Sequence, residues 1–385
     1  MRDVEFSLKR YDLTKLVFVA VFFVLFVPVF MRLYAGNTSA IGSESYLNMR
    51  YAQDLIDSKT LDFDELVEKY ELTPDLVYSR RTFHFNPYHV LFAFLGNFFG
   101  LRTVAQILPI LLGIFSILLF SNVLDSLKFE KSRRDIILLL AVTSPAFIYA
   151  FTVATTHSLA IVLSMLSILL FTKKDYVWFV GSMVCLFLVS LFSVFNLIVL
   201  LACLLAYAIH DSKKKSWFFM ALLISMFFLF IKQANIYYSY TTHESLQFFT
   251  AISSDLGGLI GFGFVSLLLM FLGLGRLWKN RKQLFIFLIP ASIIASYVYV
   301  GEGFFMYLSF FVAIAAGDGL LLLVERKWHL HLLKGLTLII LVCGIIFSVV
   351  SYADRMIEAD PHPETLHSLE LLQKASKGGE IVLTH

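Results

Sequence analysis

Gly42-Ser43-Glu44-Ser45-Tyr46-Leu47-Asn48-Met49-Arg50-Tyr51-Ala52 lies just beyond the first long apolar run of the chain. Read as a helix, it brings Glu44, Asn48 and Tyr51 to i, i+4 and i+7, so that one face carries a carboxylate, an amide and a phenol together. Such a face is a candidate site. An amphipathic helix resting on a membrane surface accounts for the same stretch. What surrounds it decides between the two.

A chain of 385 residues that is 58% hydrophobic, 16% aromatic and only 15% charged has too much apolar side chain to hide inside a soluble domain. It is an all-α polytopic membrane protein, with the lipid membrane as its first partner and no nucleic acid expected. Cys185, Cys203 and Cys343 each sit inside an apolar run and read as small membrane hydrophobes. Apolar spans fall near 16–31, 101–124, 136–153, 158–172, 176–192, 195–209, 216–231, 256–275, 284–300, 304–324 and 335–352, about eleven in all.

The net charge of +3 says little as a total, but the positions of the basic residues say more. They cluster before the first span (Arg2, Lys9, Arg10, Lys15) and then in every second loop: Lys128 to Arg134, Lys173 and Lys174, Lys213 to Lys215, Arg276 to Lys282, Arg326 to Lys334. The positive-inside rule makes that side cytoplasmic, with the N-terminus inside and the C-terminus outside. No small-residue cleavage pattern follows the first span, which is kept as an anchor. Two external loops result, 34–100, in which a short polar helix is expected around Asp64–Glu71, and 233–255. A short helix opened by Pro87 and running to Phe99 is too short to cross and is expected in the interface.

The opening stretch resembles the first external loop of the catalytic subunit of archaeal and bacterial oligosaccharyltransferases, Asp-Pro-Tyr-x-His-x-Arg, with Glu44, Tyr46, Asn48 and Arg50 in the places of the acid, the aromatic, the His and the Arg. Pro145 breaks the helical hydrogen-bond ladder of its span, and Thr155 to Ser158 are expected to form a polar turn at the outer surface. Ser144-Pro145-Ala146-Phe147 resembles the family's Ser-Pro-x-Phe, after which the family carries an Asp-x-Asp that binds a divalent metal. Aligned on Ser144-Pro145, those two Asp fall on His157 and Leu159, and Leu159 holds no metal. Thr241-x-x-Glu244 has the spacing of the family's external Thr/Ser-x-x-Glu and equally that of a capping box. Near Gly301-Glu302-Gly303 the family has a Gly-rich turn followed by an Arg; here Gly303 stands where the Arg would be.

The resemblance implies a GT-C-like transmembrane bundle over residues 1–352. It also implies transfer of a sugar or oligosaccharide from a polyprenyl (dolichyl) phosphate or diphosphate to an extracytoplasmic acceptor such as protein Asn, in the plasma membrane of a prokaryote. Glu44 and Glu244 would be the catalytic carboxylates, and Tyr46, Asn48, Arg50, Tyr51 and Thr241 would bind substrate. Glu44, His157 and Glu244 would hold a divalent metal, Mn²⁺ or Mg²⁺, if one is used. Arg80, Arg81 and His84 read either as a phosphate contact at the membrane surface or as partners of the loop's own acids. The alternative class is a catalytically degenerate relative, an accessory subunit or a carrier of lipid-linked sugars.

Two further features stand apart. Asp318, between Gly317 and Gly319 inside a span, is an acid at a costly depth and is expected to face protein or a cavity. The segment 353–385 reads as an external helix from Pro361 and a short strand from Gly379. In the family this helix and strand lead into a soluble domain. Here the sequence ends there, and the expectation is either truncation or pairing of the strand with another chain.

Overall fold

The computed structural model describes residues 13–57, 86–211, 214–233, 252–256, 258, 260–279, 281–296 and 303–359. Among these, fourteen α-helices and no β-strand are formed. They are α1 (Leu13–Tyr34), α2 (Ser43–Asp57), α3 (Pro87–Phe99), α4 (Leu101–Ser126), α5 (Lys131–Val142), α6 (Pro145–Thr152) and α7 (Thr156–Thr172). There follow α8 (Tyr176–Phe192), α9 (Val194–His210), α10 (Lys215–Gln233), α11 (Phe264–Lys279), α12 (Arg281–Ser296), α13 (Phe304–Glu325) and α14 (His331–Glu358).

Local chemistry sets several of the boundaries. Asn86 caps α3 by accepting a hydrogen bond from the Tyr88 amide at 2.9 Å, Pro87 occupies the first helical position, and Gly100 at φ +83° ends the helix and starts α4. Pro145 lacks the amide that would continue α5. The chain therefore breaks there into α5 and α6, which meet at 64°. Among the described residues, helices α1, α4, α13 and α14 are each long and apolar enough to cross a membrane, and α5 and α6 are so only when taken together; the other apolar helices are shorter. This is an integral membrane protein. Phe22, Phe23 and Phe30 on α1 and Leu332, Ile339 and Phe347 on α14 point outwards, where lipid rather than water is the solvent that suits them.

Two expected boundaries move. The span placed at 256–275 starts only at Phe264, because Ser254–Leu256 is a 3₁₀ turn, Ser253 bridges to Phe262, and the Asp255 carboxylate accepts the Phe264 amide at 2.6 Å. The last span runs past 352 to Glu358. The helix expected around Asp64–Glu71, the loop 234–251, Glu302 and the tail beyond Ala359 lie outside the described residues.

The bundle has two chemically different ends. At one, Arg133 on α5 makes a bidentate pair with Asp318 on α13, both bonds 2.6 Å, with its guanidinium 4.3 Å from the Phe129 ring. Beside it Arg134 binds Asp125 and Asp135, and Thr14 donates to Asp135 at 2.8 Å. Asp318 thus faces protein, as an acid at that depth must, and its charge is met by a planar donor pair. At the other end Arg32, 2% exposed, donates to the last carbonyls of α14 at Met356, Ile357 and Ala359 and to Ser39 at 2.7 Å. A cation at a helix C-terminus meets the negative end of its dipole. Arg32 therefore ties the first and last helices together beside α2 and α3. Between the ends, α11 and α13 cross at backbone contact where Gly273 faces Ala315 and Gly319 faces Leu269.

Candidate functional site

The break that continues from α6 into α7 leaves Val153, Ala154 and Thr155 extended; Val153 and Thr155 find local backbone partners, but the Ala154 amide and carbonyl have none in either helix, and lipid could not supply them. Helix α2 satisfies them. The Ala154 amide donates to Ser45 Oγ at 2.9 Å, and Asn48 Nδ2 donates to the Ala154 carbonyl at 2.7 Å. Ser45 Oγ passes its own proton to the Ile41 carbonyl at 2.6 Å. Gly42, at φ +75°, starts α2 so close to the break that a Cβ would sit 3.3 Å from Val153 Cγ1. The polar turn expected at the outer surface over Thr155 to Ser158 is thus covered: Ala154, Thr155 and Ser158 are fully buried beneath α2 and α3.

Because Asn48 spends its amide hydrogens on Ala154, its Oδ1 faces His89 Nε2 at 2.7 Å, and that nitrogen carries the proton. Tyr51 stacks on the same imidazole with ring centres 4.9 Å apart. The face read from sequence therefore divides. The buried stripe of α2 is Ser45, Asn48 and Ala52. Glu44 and Tyr51 flank it half-buried, Tyr46 is half-buried, and Arg50 is exposed. Asn48, expected to bind substrate, has both ends of its amide taken by the scaffold. Ser45 and His89 are the residues that the sequence reading missed. A hydroxyl and an amide three residues apart on one helix were the available signal, while the partners on α3 and at Ala154 are too far along the chain to be seen.

Burial pushes the His89 imidazole down to about 4. The fold thus favours the neutral ring, and the unfolded chain, at about 6.5, takes up a proton first. This contribution is complete above pH 6.5 and is lost as the pH falls towards 4, at the limit roughly 3 kcal/mol. Thermal melts across that range should fall more steeply for the native protein than for His89→Gln, which keeps a donor for Asn48 and cannot titrate. Parallel curves would remove His89 from the acid response.

His157, in the first turn of α7, lies against the start of α13: Nδ1 is 3.4 Å from Tyr307 Oη, and Gly303 comes so close that a Cβ there would sit 2.7 Å from Nε2. Tyr307 in turn donates to Asn196 Oδ1 at 2.7 Å. Glu244 and Thr241, with Arg80, Arg81 and His84, lie outside the described residues. Among the described residues no three His, Cys, Asp or Glu side chains come together to hold a metal ion, and Glu244, the third member of the expected set, lies outside them.

Tyr88 completes the seam between α2, α3 and α7. Its side chain is fully buried and its hydroxyl has no hydrogen-bond partner among the described residues. Burial drives its pKa up; Ser158 beside it, short of hydrogen-bond geometry, pulls the other way, and the Glu44 carboxylate adds to the rise. The phenol stays protonated. A separate apolar cavity of about 110 Å³ lies among α4, α7, α9, α12 and α13. Phe120, Ile161, Leu200, Phe287 and Phe310 line it, and Tyr307 links it to His157.

No protein-family profile matches the chain, and no curated protein matches it. Solved structures do. The oligosaccharyltransferase of Archaeoglobus fulgidus in its apo crystal form matches 96% of this chain at 12% identity and a TM-score of 0.56. A crystal form of it with Zn and sulfate matches at 13% identity and 0.58. The archaeal oligosaccharyltransferase AglB of that organism, in complex with an inhibitory peptide and a dolichol-phosphate, matches at 12% and 0.58. This chain spans between 56% and 59% of the length of those structures. At such identity the likeness is one of fold, and the fold is the GT-C one that the sequence resemblance implied.

Proposed function

We propose that this protein is a membrane glycosyltransferase that takes a sugar or oligosaccharide from a polyprenyl phosphate or diphosphate and passes it to an acceptor outside the cytoplasm, protein Asn being the first to try. The observation that carries this reading is the docking of α2, whose first turn carries Glu44, onto the break between α6 and α7 at one end of a GT-C-like bundle. The proposed topology puts that end outside and the Arg133–Asp318 end in the cytoplasm, in a prokaryotic plasma membrane, because the basic loops gather at the latter.

In this reading Glu44 accepts the acceptor's proton as the new glycosidic bond forms and the lipid phosphate leaves. Arg80, Arg81 and His84 meet the phosphate, and the apolar cavity receives part of the lipid chain. No step is routed through a metal. The segment after Glu358 is proposed as the lead into an external domain or a contact with another chain.

The test is reconstitution of the full chain in liposomes with a polyprenyl phosphate-linked and a polyprenyl diphosphate-linked sugar, an Asn-bearing peptide as acceptor, and arms with and without Mn²⁺ or Mg²⁺. Movement of the sugar to peptide or to water is the expected result. Tight donor binding with no transfer in any arm would instead favour the accessory or carrier role.

A further inference from the structure

Helices α13 and α14 are each long and apolar enough to cross the membrane, and only the turn from Arg326 to Leu330 joins them, so that turn sits at headgroup depth. It lies at the end of the bundle marked by the Arg133–Asp318 pair, since Asp318 is near the end of α13. The last turn of α11 stands beside it, pinned by Arg276 Nη1 on Glu325 Oε2 at 2.9 Å. Glu325 is the one acid of this patch, and Arg276 takes it. Lys279 on α11, Arg326 and Lys327 in the turn, and Lys334 in the first turn of α14 have no carboxylate partner among the described residues. Arg133 and Arg134, at the same end, are spent on Asp318 and on Asp125 with Asp135.

Apolar side chains stand among these cations. Leu332 is 85% exposed, and Leu330, Leu333 and Trp278 are exposed too. The Trp328 indole donates to the Leu323 carbonyl at 2.9 Å, and the Arg326 guanidinium lies 5.9 Å from its ring, so the turn has a fixed shape. Exposed leucines suit acyl chains and not water, while unpaired cations at the same level suit phosphate oxygens. We propose that this seam between α11 and the α13–α14 turn binds an anionic phospholipid of the adjoining leaflet. Lys279, Arg326, Lys327 and Lys334 meet the headgroup, and the leucines and Trp278 meet the start of the acyl chains. A zwitterionic headgroup brings a cation of its own into a patch already positive, so charge complementarity selects the anionic class. The site lies at the end of the bundle away from α2 and uses none of the residues assigned to transfer.

The test is the full chain reconstituted in vesicles of phosphatidylcholine and phosphatidylglycerol in equal amounts, then extracted in mild detergent at low salt, with the bound lipid read by mass spectrometry. The native chain should retain phosphatidylglycerol over phosphatidylcholine. Each cation near a charged surface is worth about fivefold in lipid affinity, so Arg326→Gln/Lys327→Gln should lower that enrichment by about tenfold or more. Lys173→Gln/Lys174→Gln removes two exposed cations from another turn at the same end, next to the end of α4, and should leave the enrichment close to native. Both double variants should melt as the native chain does, because the side chains removed are exposed. Lys334→Gln lies outside the turn; it should cost about fivefold in enrichment and decides the matter if the turn variant does not fold. Equal retention of the two lipids by the native chain, or equal losses in the two double variants, overturns the site and leaves only diffuse surface charge.

Discussion

Gly273→Ala should unfold or severely destabilise the bundle, while Gly275→Ala, two residues along the same helix, should leave it intact. A Cβ on Gly273 would overlap the Ala315 carbonyl oxygen and sit 2.7 Å from its carbon and 2.8 Å from the Gly319 amide nitrogen. Those are backbone atoms of α13, which cannot rotate away. From the other side, a Cβ on Gly319 would overlap the Leu269 carbonyl oxygen. The two helices therefore cross with no side chain between them, the arrangement that small residues permit in membranes.

Adding a methyl group must separate the helices, and overpacking of that kind costs on the order of 3 kcal/mol or more where the neighbour is backbone. Gly275 has nothing within 4 Å of the same atom, so alanine there should be neutral or stabilising by up to about 1 kcal/mol through helix propensity. The measurement is the fraction of each variant extracted folded in detergent, with its melting temperature. Equal behaviour of the two would mean that α11 and α13 do not cross as described.

The same glycines show where sequence reading reaches its limit. Pro87, Gly100 and Pro145 act through their own backbones, so the short helix at 87–99 and the break after 144 were legible from a few residues. The charge alternation, likewise, needs only composition and loop position. Asp318 could be flagged as costly, but its partner Arg133 lies in another helix, and Arg133 had been read only as one of several loop cations.

The apolar stretch after Asp255 was read as helix although glycine occurs at 257, 258, 261 and 263. The Asp255 cap on Phe264 decided the start, with Ser348 on α14 holding the same carboxylate at 2.8 Å. The polar face of α2 was legible as a face. Which of its residues serves the scaffold and which faces the site was not, because that depends on a peptide group at Ala154 exposed by a break more than a hundred residues away.

Glu44→Gln should abolish transfer and leave the fold unchanged. The substitution keeps the shape and the hydrogen-bonding reach of the side chain while removing the charge and the basicity. Glu44 is half-buried in the first turn of α2, where the helix dipole favours a carboxylate. The helix-dipole part of that loss is worth about 2 kcal/mol at most. The docking of α2 does not depend on it, since Ser45 and Asn48 make those bonds.

Catalysis depends on the charge much more. A positioned general base contributes on the order of 10² to 10⁴ in rate, so sugar transfer by the variant should fall by at least about a hundredfold at saturating donor. Glu44→Asp, which keeps the charge on a shorter arm, should recover part of the rate. Donor binding, set by the phosphate and the lipid chain, should be close to native in both. A folded Glu44→Gln protein that transfers sugar as fast as the native chain would take Glu44 out of the mechanism and turn attention to carboxylates on the second external loop, Glu244 first.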